Sequence, residues 1–204
     1  MKVGIYFGTF NPIHVGHLII ANHFAQNEDL DQIWLVVSPQ NPLKLKSTLL
    51  ADYHRLNMVK VAIEDNPKLR ASDIEFSLSK PSFTVHTLAH LKEKYPENTF
   101  SLIMGEDNLR TLNKWFNYEY ILENHRIYVF PRSLTIQELE NPQAETEETK
   151  RIKNHPSIHY CKDTPTMKIS SSFIRETIKS GKNVNYLCTE KVCKYLDEMN
   201  FYRG

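Results

Sequence analysis

Four short apolar runs, each stopped by a turn-forming residue and separated by helical periods, constrain this chain more than any other feature. Lys2 to Phe7 ends at Gly8, Ile33 to Val37 at Ser38-Pro39, Thr99 to Met104 at Gly105, and Ile127 to Phe130 at Pro131. Runs this short, rich in β-branched and aromatic residues, read as buried strands. Ala71 to Phe76 predicts a shorter strand and Ile158 to Tyr160 one more. Between them, apolar residues recur at helical spacing: Leu18, Ala21 and Ala25 within Val15 to Asn27; Leu56, Val59 and Ile63 within Ala51 to Glu64; Leu88 and Leu91 within Thr84 to Tyr95. Strands alternating with helices of about ten to fourteen residues build βαβ units on a parallel sheet. Ser171 to Lys179 and Thr189 to Met199 predict two further helices. Leu134 to Lys153 is acidic and poor in apolar residues, which reads as an exposed helix or mobile loop. No repeat or linker divides the chain, and 204 residues suit a single domain.

Charge narrows the partners. Lys and Arg total 25 against 24 Asp and Glu, a net +1, so no global basic field points to nucleic acid or a membrane surface. No apolar run approaches the ~18 residues of a membrane span. The three cysteines, Cys161, Cys188 and Cys193, are odd in number and lack CxxC spacing. That gives no support to a zinc site or a disulfide framework, and a reduced, cytoplasmic location is expected.

In open parallel sheets ligands bind beyond the carboxyl ends of the strands. The unusual residues fall there: Gly8 to His17, Ser38 to Lys46, Gly105 to Asp107, and Pro131-Arg132. The first of these reads Gly8-Thr9-Phe10-Asn11-Pro12-Ile13-His14-Val15-Gly16-His17. Gly8 follows a strand directly and permits close backbone approach to a ligand. His14 and His17, three residues apart at a helix start, share one face. Two imidazoles at the positive end of a helix suit an anion such as phosphate. A second segment, Ile169-Ser170-Ser171-Ser172-Phe173-Ile174-Arg175, opens another helix. Serines cap helices well, but an arginine in the first turn opposes the macrodipole unless an anion bridges it.

Together the two segments resemble the paired signatures of the nucleotidylyltransferase superfamily of α/β phosphodiesterases. Three stretches narrow the resemblance: Pro81-Ser82-Phe83-Thr84-Val85-His86-Thr87-Leu88; Gly105-Glu106-Asp107 followed by Trp115; and His54-Arg55-Leu56 with Met58 and Ala62. These are similar to the bacterial nicotinate-mononucleotide adenylyltransferases along essentially the whole chain. Two departures stand out. Leu43 replaces a family histidine in Asn41-Pro42-Leu43-Lys44, and Phe83 replaces a tyrosine.

The resemblance implies a Rossmann-like, doubly wound, mostly parallel sheet in one domain over 1–204, with a small C-terminal helical portion from about residue 165. It implies joining of ATP and nicotinate mononucleotide to give deamido-NAD and pyrophosphate, with Mg2+ accompanying ATP and no metal ligand in the protein. The implied catalytic set is His14, His17, Lys44 and Arg175. ATP contacts fall to Gly8, Thr9, Phe10, His14, His17, Gly105, Asp107, Ser171, Ser172 and Arg175. Mononucleotide contacts fall to Lys44, Thr84, Trp115, Phe116 and Arg132. A core aromatic is the lesser reading of Trp115 and a helix cap the lesser reading of Asp107, whereas Arg132 and Lys46 read equally as surface charges. His54, His86, His90 and His125 read as structural or solvent-exposed. Nicotinamide mononucleotide as acceptor, CTP as donor, and a non-catalytic nucleotide-binding regulator stay open at this point, as does a homo-oligomer.

Overall fold

A computed structural model describes residues 1–39, 49–132 and 146–203. Six strands form one sheet: β1 (Lys2–Gly8), β2 (Gln32–Val37), β3 (Leu69–Ser72), β4 (Thr99–Gly105), β5 (Ile127–Phe130) and β6 (Ile158–Tyr160). Their order is β3-β2-β1-β4-β5-β6, and every pairing is parallel. The chain builds outward from β1 to β3, then crosses back to lay β4 on the other side of β1. The order therefore reverses between β1 and β4, where open sheets leave a crevice at the strand ends.

The strand side chains alternate between two cores. Tyr6, Ile33, Leu35, Val37, Ile103, Tyr128 and Phe130 pack on one face, with residues of α1 (Val15–Asn27) and α2 (Asp52–Ile63). Val3, Ile5, Trp34, Val36, Leu102, Met104, Ile127 and Val129 pack on the other, with α3 (Thr84–Lys94) and the helices after β4. Burial on both faces explains why the sequence runs were continuously apolar rather than alternating. Each fully buried aliphatic side chain contributes about 1.5–3 kcal/mol.

Most predicted bounds agree within a residue or two. The strand expected at 71–76 instead covers Leu69–Ser72, and Ile74–Ser77 turns into a 3-10 helix. Pairing with β2 runs from Ile33–Leu69 to Val36–Ser72, so the neighbour's register, not local composition, sets this strand. Two short helices after β4 were not foreseen: α4 (Glu106–Leu109) and α5 (Tyr118–Asn124), with a 3-10 turn at Leu112–Lys114 between them. They are too short for a period to show. Within the acidic segment, Glu147–Lys153 is helix α6, capped by the Thr146 side chain accepting from the Thr149 amide; residues 133–145 lie outside the described residues. The chain closes with α7 (Ser171–Lys179) and α8 (Glu190–Glu198). Ser170 and Thr189 cap these two helices with side-chain oxygens. Val192, Cys193 and Leu196 bury one face of α8 in the same core as α1 and α2.

Candidate active site

A cavity of about 630 Å³ opens at the carboxyl ends of β1 and β4, within the range of small-molecule sites. Its position follows from the strand order. Its chemistry comes from the loops that leave those strands.

After β1 the backbone enters the left-handed region at Phe10 (φ 45°). The Phe10 ring turns inward, 1 % exposed, and lies edge-on to Tyr6 and His17. A Cβ on Gly8 would sit 2.7 Å from that ring. Glycine is thus required at position 8 because Phe10 fills the space, in addition to any ligand approaching the backbone. Phe10 itself is a core residue and does not line the cavity, unlike Gly8 and Thr9 beside it.

His14 is the N-cap of α1, and its ring stacks on that of His17 with centroids 3.7 Å apart and planes 27° apart. The His14 amide donates to Nδ1 of His17 at 3.3 Å, which leaves the His17 ring proton on Nε2. Burial, reinforced by the Arg132 charge, pushes the His14 pKa down to about 4. His14 is therefore a neutral imidazole at neutral pH. The two imidazoles at the helix start thus form a stacked pair with a neutral member, because desolvation penalises the charged form. Nδ1 of His14 is buried without a hydrogen-bond partner. A Cβ on Gly16 would meet Ile169 at 2.6 Å and His14 Nδ1 at 3.0 Å, so the second glycine of the segment lets the two signatures pack together.

The serine–arginine segment docks on this loop. Ser171 Oγ donates to the Pro12 carbonyl at 2.8 Å, and Arg175 Nη1 donates to the Asn11 carbonyl at 2.8 Å. Arg175 Nη2 donates to Ser172 Oγ at 3.1 Å. Residues more than 150 positions apart thus bring the N-termini of α1 and α7 to one side of the cavity.

At the end of β4, Asp107 Oδ2 pairs with Arg132 from the end of β5. Oδ1 of Asp107 is buried and has no hydrogen-bond partner. A Cβ on Gly105 would lie 2.5 Å from that oxygen, so the glycine makes room for it. Thr84, Trp115 and Phe116 also line the cavity. Trp115 also packs partly against the core, so its two readings are compatible. Phe83 occupies the N-cap of α3 without a side-chain cap, leaving first-turn amides that no intrahelical carbonyl can satisfy.

All the described residues expected in the site line the cavity except Phe10. Lys44, Lys46 and Leu43 lie outside the described residues. Three features escaped the sequence. Glu75 is buried in the cavity wall, accepting from Thr87 Oγ1 at 2.7 Å and Ser82 Oγ at 3.4 Å; burial raises its pKa. Arg55 is fully buried and donates to the carbonyls of Leu50, Thr9, Ser38 and Pro39 and to Asp52. It ties the ends of β1 and β2 to the start of α2. Phe83, His86 and Phe116 form an aromatic trio with centroids 5.2–5.7 Å apart. The periodicity of α3 was the available signal, since it puts His86 one turn from Phe83. His54 and His125 are structural as expected, bonded to Tyr195 and to the Phe100 carbonyl.

The profile of the cytidylyltransferase-like family matches residues 5–177. A probable nicotinate-nucleotide adenylyltransferase of Flavobacterium johnsoniae is 60 % identical over 203 residues, covering all of both chains. The nicotinate-nucleotide adenylyltransferase of Bacillus subtilis is 32 % identical over 203 residues, covering 100 % of this chain and 99 % of that one. Among solved structures, Plasmodium falciparum nicotinic acid mononucleotide adenylyltransferase complexed with NaAD superposes with a TM-score of 0.75 at 21 % identity, over 98 % of this chain and 97 % of that one.

Proposed function

The chain belongs to the cytidylyltransferase-like family, and on that premise we propose that it is a nicotinate-nucleotide adenylyltransferase, joining ATP to nicotinate mononucleotide and releasing pyrophosphate in NAD biosynthesis. The observation that carries this reading is the meeting of two helix N-termini, the stacked His14–His17 pair and Arg175 at one side of a cavity on the strand-order reversal. Helix N-termini and fixed donors are the groups that hold phosphate.

The nucleophile is the 5′-phosphate of the mononucleotide, already anionic near neutral pH, so its in-line attack on the α-phosphorus needs no general base. The neutral His14 suits that chemistry, because it donates without being asked to take a proton. Rate enhancement then comes from positioning and from charge stabilisation in the transition state. Gly8 and Thr9 offer backbone amides near the α-phosphate. His17 donates through Nε2 to the reacting phosphoryl group, and His14 to a neighbouring phosphate oxygen. Ser172 and Arg175 hold the β- and γ-phosphates; Ser171, whose hydroxyl is given to Pro12, acts through its amide. Asp107 Oδ1, an orphaned acceptor, takes a ribose hydroxyl. Trp115 stacks on the pyridine ring, Phe116 flanks it, and Arg132 contacts a phosphate. Lys44 neutralises charge on the incoming phosphate.

Adenylyltransferases use a divalent metal with ATP. Among the described residues the cavity carboxylates are Glu75, bonded to Thr87 and Ser82, and Asp107, paired with Arg132. With both carboxylates already engaged by protein partners, a divalent ion such as Mg2+ would arrive with the triphosphate, held by the residues that hold the phosphates. When bound, the ion offsets triphosphate charge and favours departure of pyrophosphate.

The uncapped start of α3 beside Thr84 favours an anionic carboxylate on the pyridine over a neutral amide. Residues 1–204 are read as one such domain, with the helical portion from about 165 completing the phosphate side; the Ser171 and Arg175 contacts to the β1–α1 loop support that unity. Among the described residues no helix is long and apolar enough to cross a membrane, and the three cysteines are unpaired thiols, which suits a cytoplasmic enzyme acting on small molecules.

The test is pyrophosphate release with ATP and Mg2+, comparing nicotinate mononucleotide, nicotinamide mononucleotide and no acceptor. Turnover strongly favouring the acid is expected. Equal turnover of the amide would overturn the acid assignment, and no release from either, in protein that binds ATP, would overturn the reaction.

A further inference from the structure

At the edge of the sheet, strand β6, the residue that follows it and the end of α1 bring together three side chains of differing chemistry. Cys161 follows β6 directly, its amide still paired with the Val129 carbonyl of β5 at 2.9 Å, so it and His159, two residues apart, project to the same face. Glu28 caps the C-terminus of α1 and reaches both. Its carboxylate lies 3.2 Å from Cys161 Sγ through one oxygen and 3.6 Å from His159 Nε2 through the other. One ligand atom from each of the three falls within 4.8 Å of the others. None of the three lines the nucleotide cavity.

We propose that Glu28, His159 and Cys161 form a binding site for a borderline-soft divalent cation of the Zn2+ type, which pins β6 to the end of α1. The donor set is the argument. Thiolate, imidazole and carboxylate are the three ligand types of zinc, and their bond lengths of about 2.0–2.3 Å place tetrahedral ligands about 3.4–3.6 Å apart. The two separations given above bracket that spacing, so little rearrangement is needed around the carboxylate. The thiol is buried while the imidazole is partly exposed, its side chain 43 % accessible, which gives the ion an entry path and leaves the fourth position to water. The Tyr128 ring packs edge-on against His159, with centroids 5.4 Å apart, and fixes the imidazole plane. Arg126 lies over the Tyr128 ring, 5.4 Å from its centroid, and its charge opposes a cation. The carboxylate and thiolate together outweigh that single charge. Binding replaces the thiol's S–H···O hydrogen bond to Glu28 with a metal–sulfur bond, and the displaced proton passes to solvent. Cysteine-pair spacing misses such a site because one ligand is supplied more than 130 residues away.

The test uses the purified full-length protein, stripped with a chelator and titrated with Co2+ as a spectroscopic stand-in for Zn2+. One bound equivalent with a near-ultraviolet thiolate-to-cobalt charge-transfer band, displaced by Zn2+, is expected. Cys161→Ser removes the band, and His159→Ala lowers Co2+ affinity at least about tenfold. Cys193→Ser, at a buried thiol elsewhere, leaves both unchanged. Zn2+ raises the Tm of the parent protein and not that of His159→Ala. Absence of the thiolate band, its survival in Cys161→Ser, or unchanged affinity in His159→Ala each overturns the site. Should Cys161→Ser fail to fold, His159→Ala decides alone, because its ring sits at the surface.

Discussion

Replacing Gly105 with alanine tests whether the orphaned Asp107 oxygen binds substrate. The added Cβ would lie 2.5 Å from Asp107 Oδ1 and 3.2 Å from the Phe130 ring. The Phe130 contact yields with a few tenths of an ångström of movement. The carboxylate must retreat by at least about half an ångström, and its other oxygen is held by Arg132, so it turns rather than slides. A hydrogen bond to a charged acceptor is worth about 1.5–3 kcal/mol, which converts to roughly 10- to 150-fold in kcat/KM for ATP. The assay is steady-state pyrophosphate release with ATP varied at saturating mononucleotide, run on Gly105→Ala, Asp107→Ala and the double variant. Because one substitution acts through the other residue, the double variant should be no worse than Asp107→Ala. Additive losses, or an unchanged kcat/KM for ATP in Gly105→Ala with Asp107→Ala impaired, would refute the reasoning.

Three further outcomes are expected. His17→Ala should lower kcat by at least ~10²-fold, as loss of a preorganised donor does, with its circular dichroism unchanged; full activity would remove His17 from the reaction. Because burial holds His14 neutral with a pKa of about 4, unfolding takes up a proton at this group between about pH 4 and the free value near 6.5. Stability should therefore fall as pH drops from about 6.5 toward about 4 and be indifferent to this group above that window, by up to about 3 kcal/mol; denaturant melts of the parent and His14→Gln should diverge in that window alone. Arg55→Met should cost about 3–5 kcal/mol in urea unfolding, since it leaves Asp52 and four backbone carbonyls without their buried partner; a loss under 1 kcal/mol would show that water replaces the guanidinium freely.

Much of the fold was legible because its signals are local. The apolar runs and their Gly, Ser-Pro and Pro stops mark strands that are buried on both faces, and Val15–Asn27 and Ser171–Lys179 match their expected bounds. Where one element borrows its structure from another, reading along the chain fell short. The β3 strand takes its register from β2, and α4 and α5 are shorter than the period that would betray them. Phe10 shows the same division inside the site. Its place in the first signature implies an ATP contact, while only the tertiary structure shows that the backbone turn at that residue sends its ring into the core.

What the amino-acid sequence determined by itself was the alternation that makes a parallel sheet and the two phosphate-oriented segments, because both depend on residues adjacent in the chain or one helical turn apart. Tertiary structure alone decided that Arg175 and Ser171 grasp the Asn11 and Pro12 carbonyls, that Arg55 ties together the ends of two strands, and that His14 is neutral. The sequence spells out which donors exist. Which acceptors they meet, and how much water is excluded around them, depends on contacts between residues tens to more than a hundred positions apart, and those come into being only when the sheet closes around its cavity.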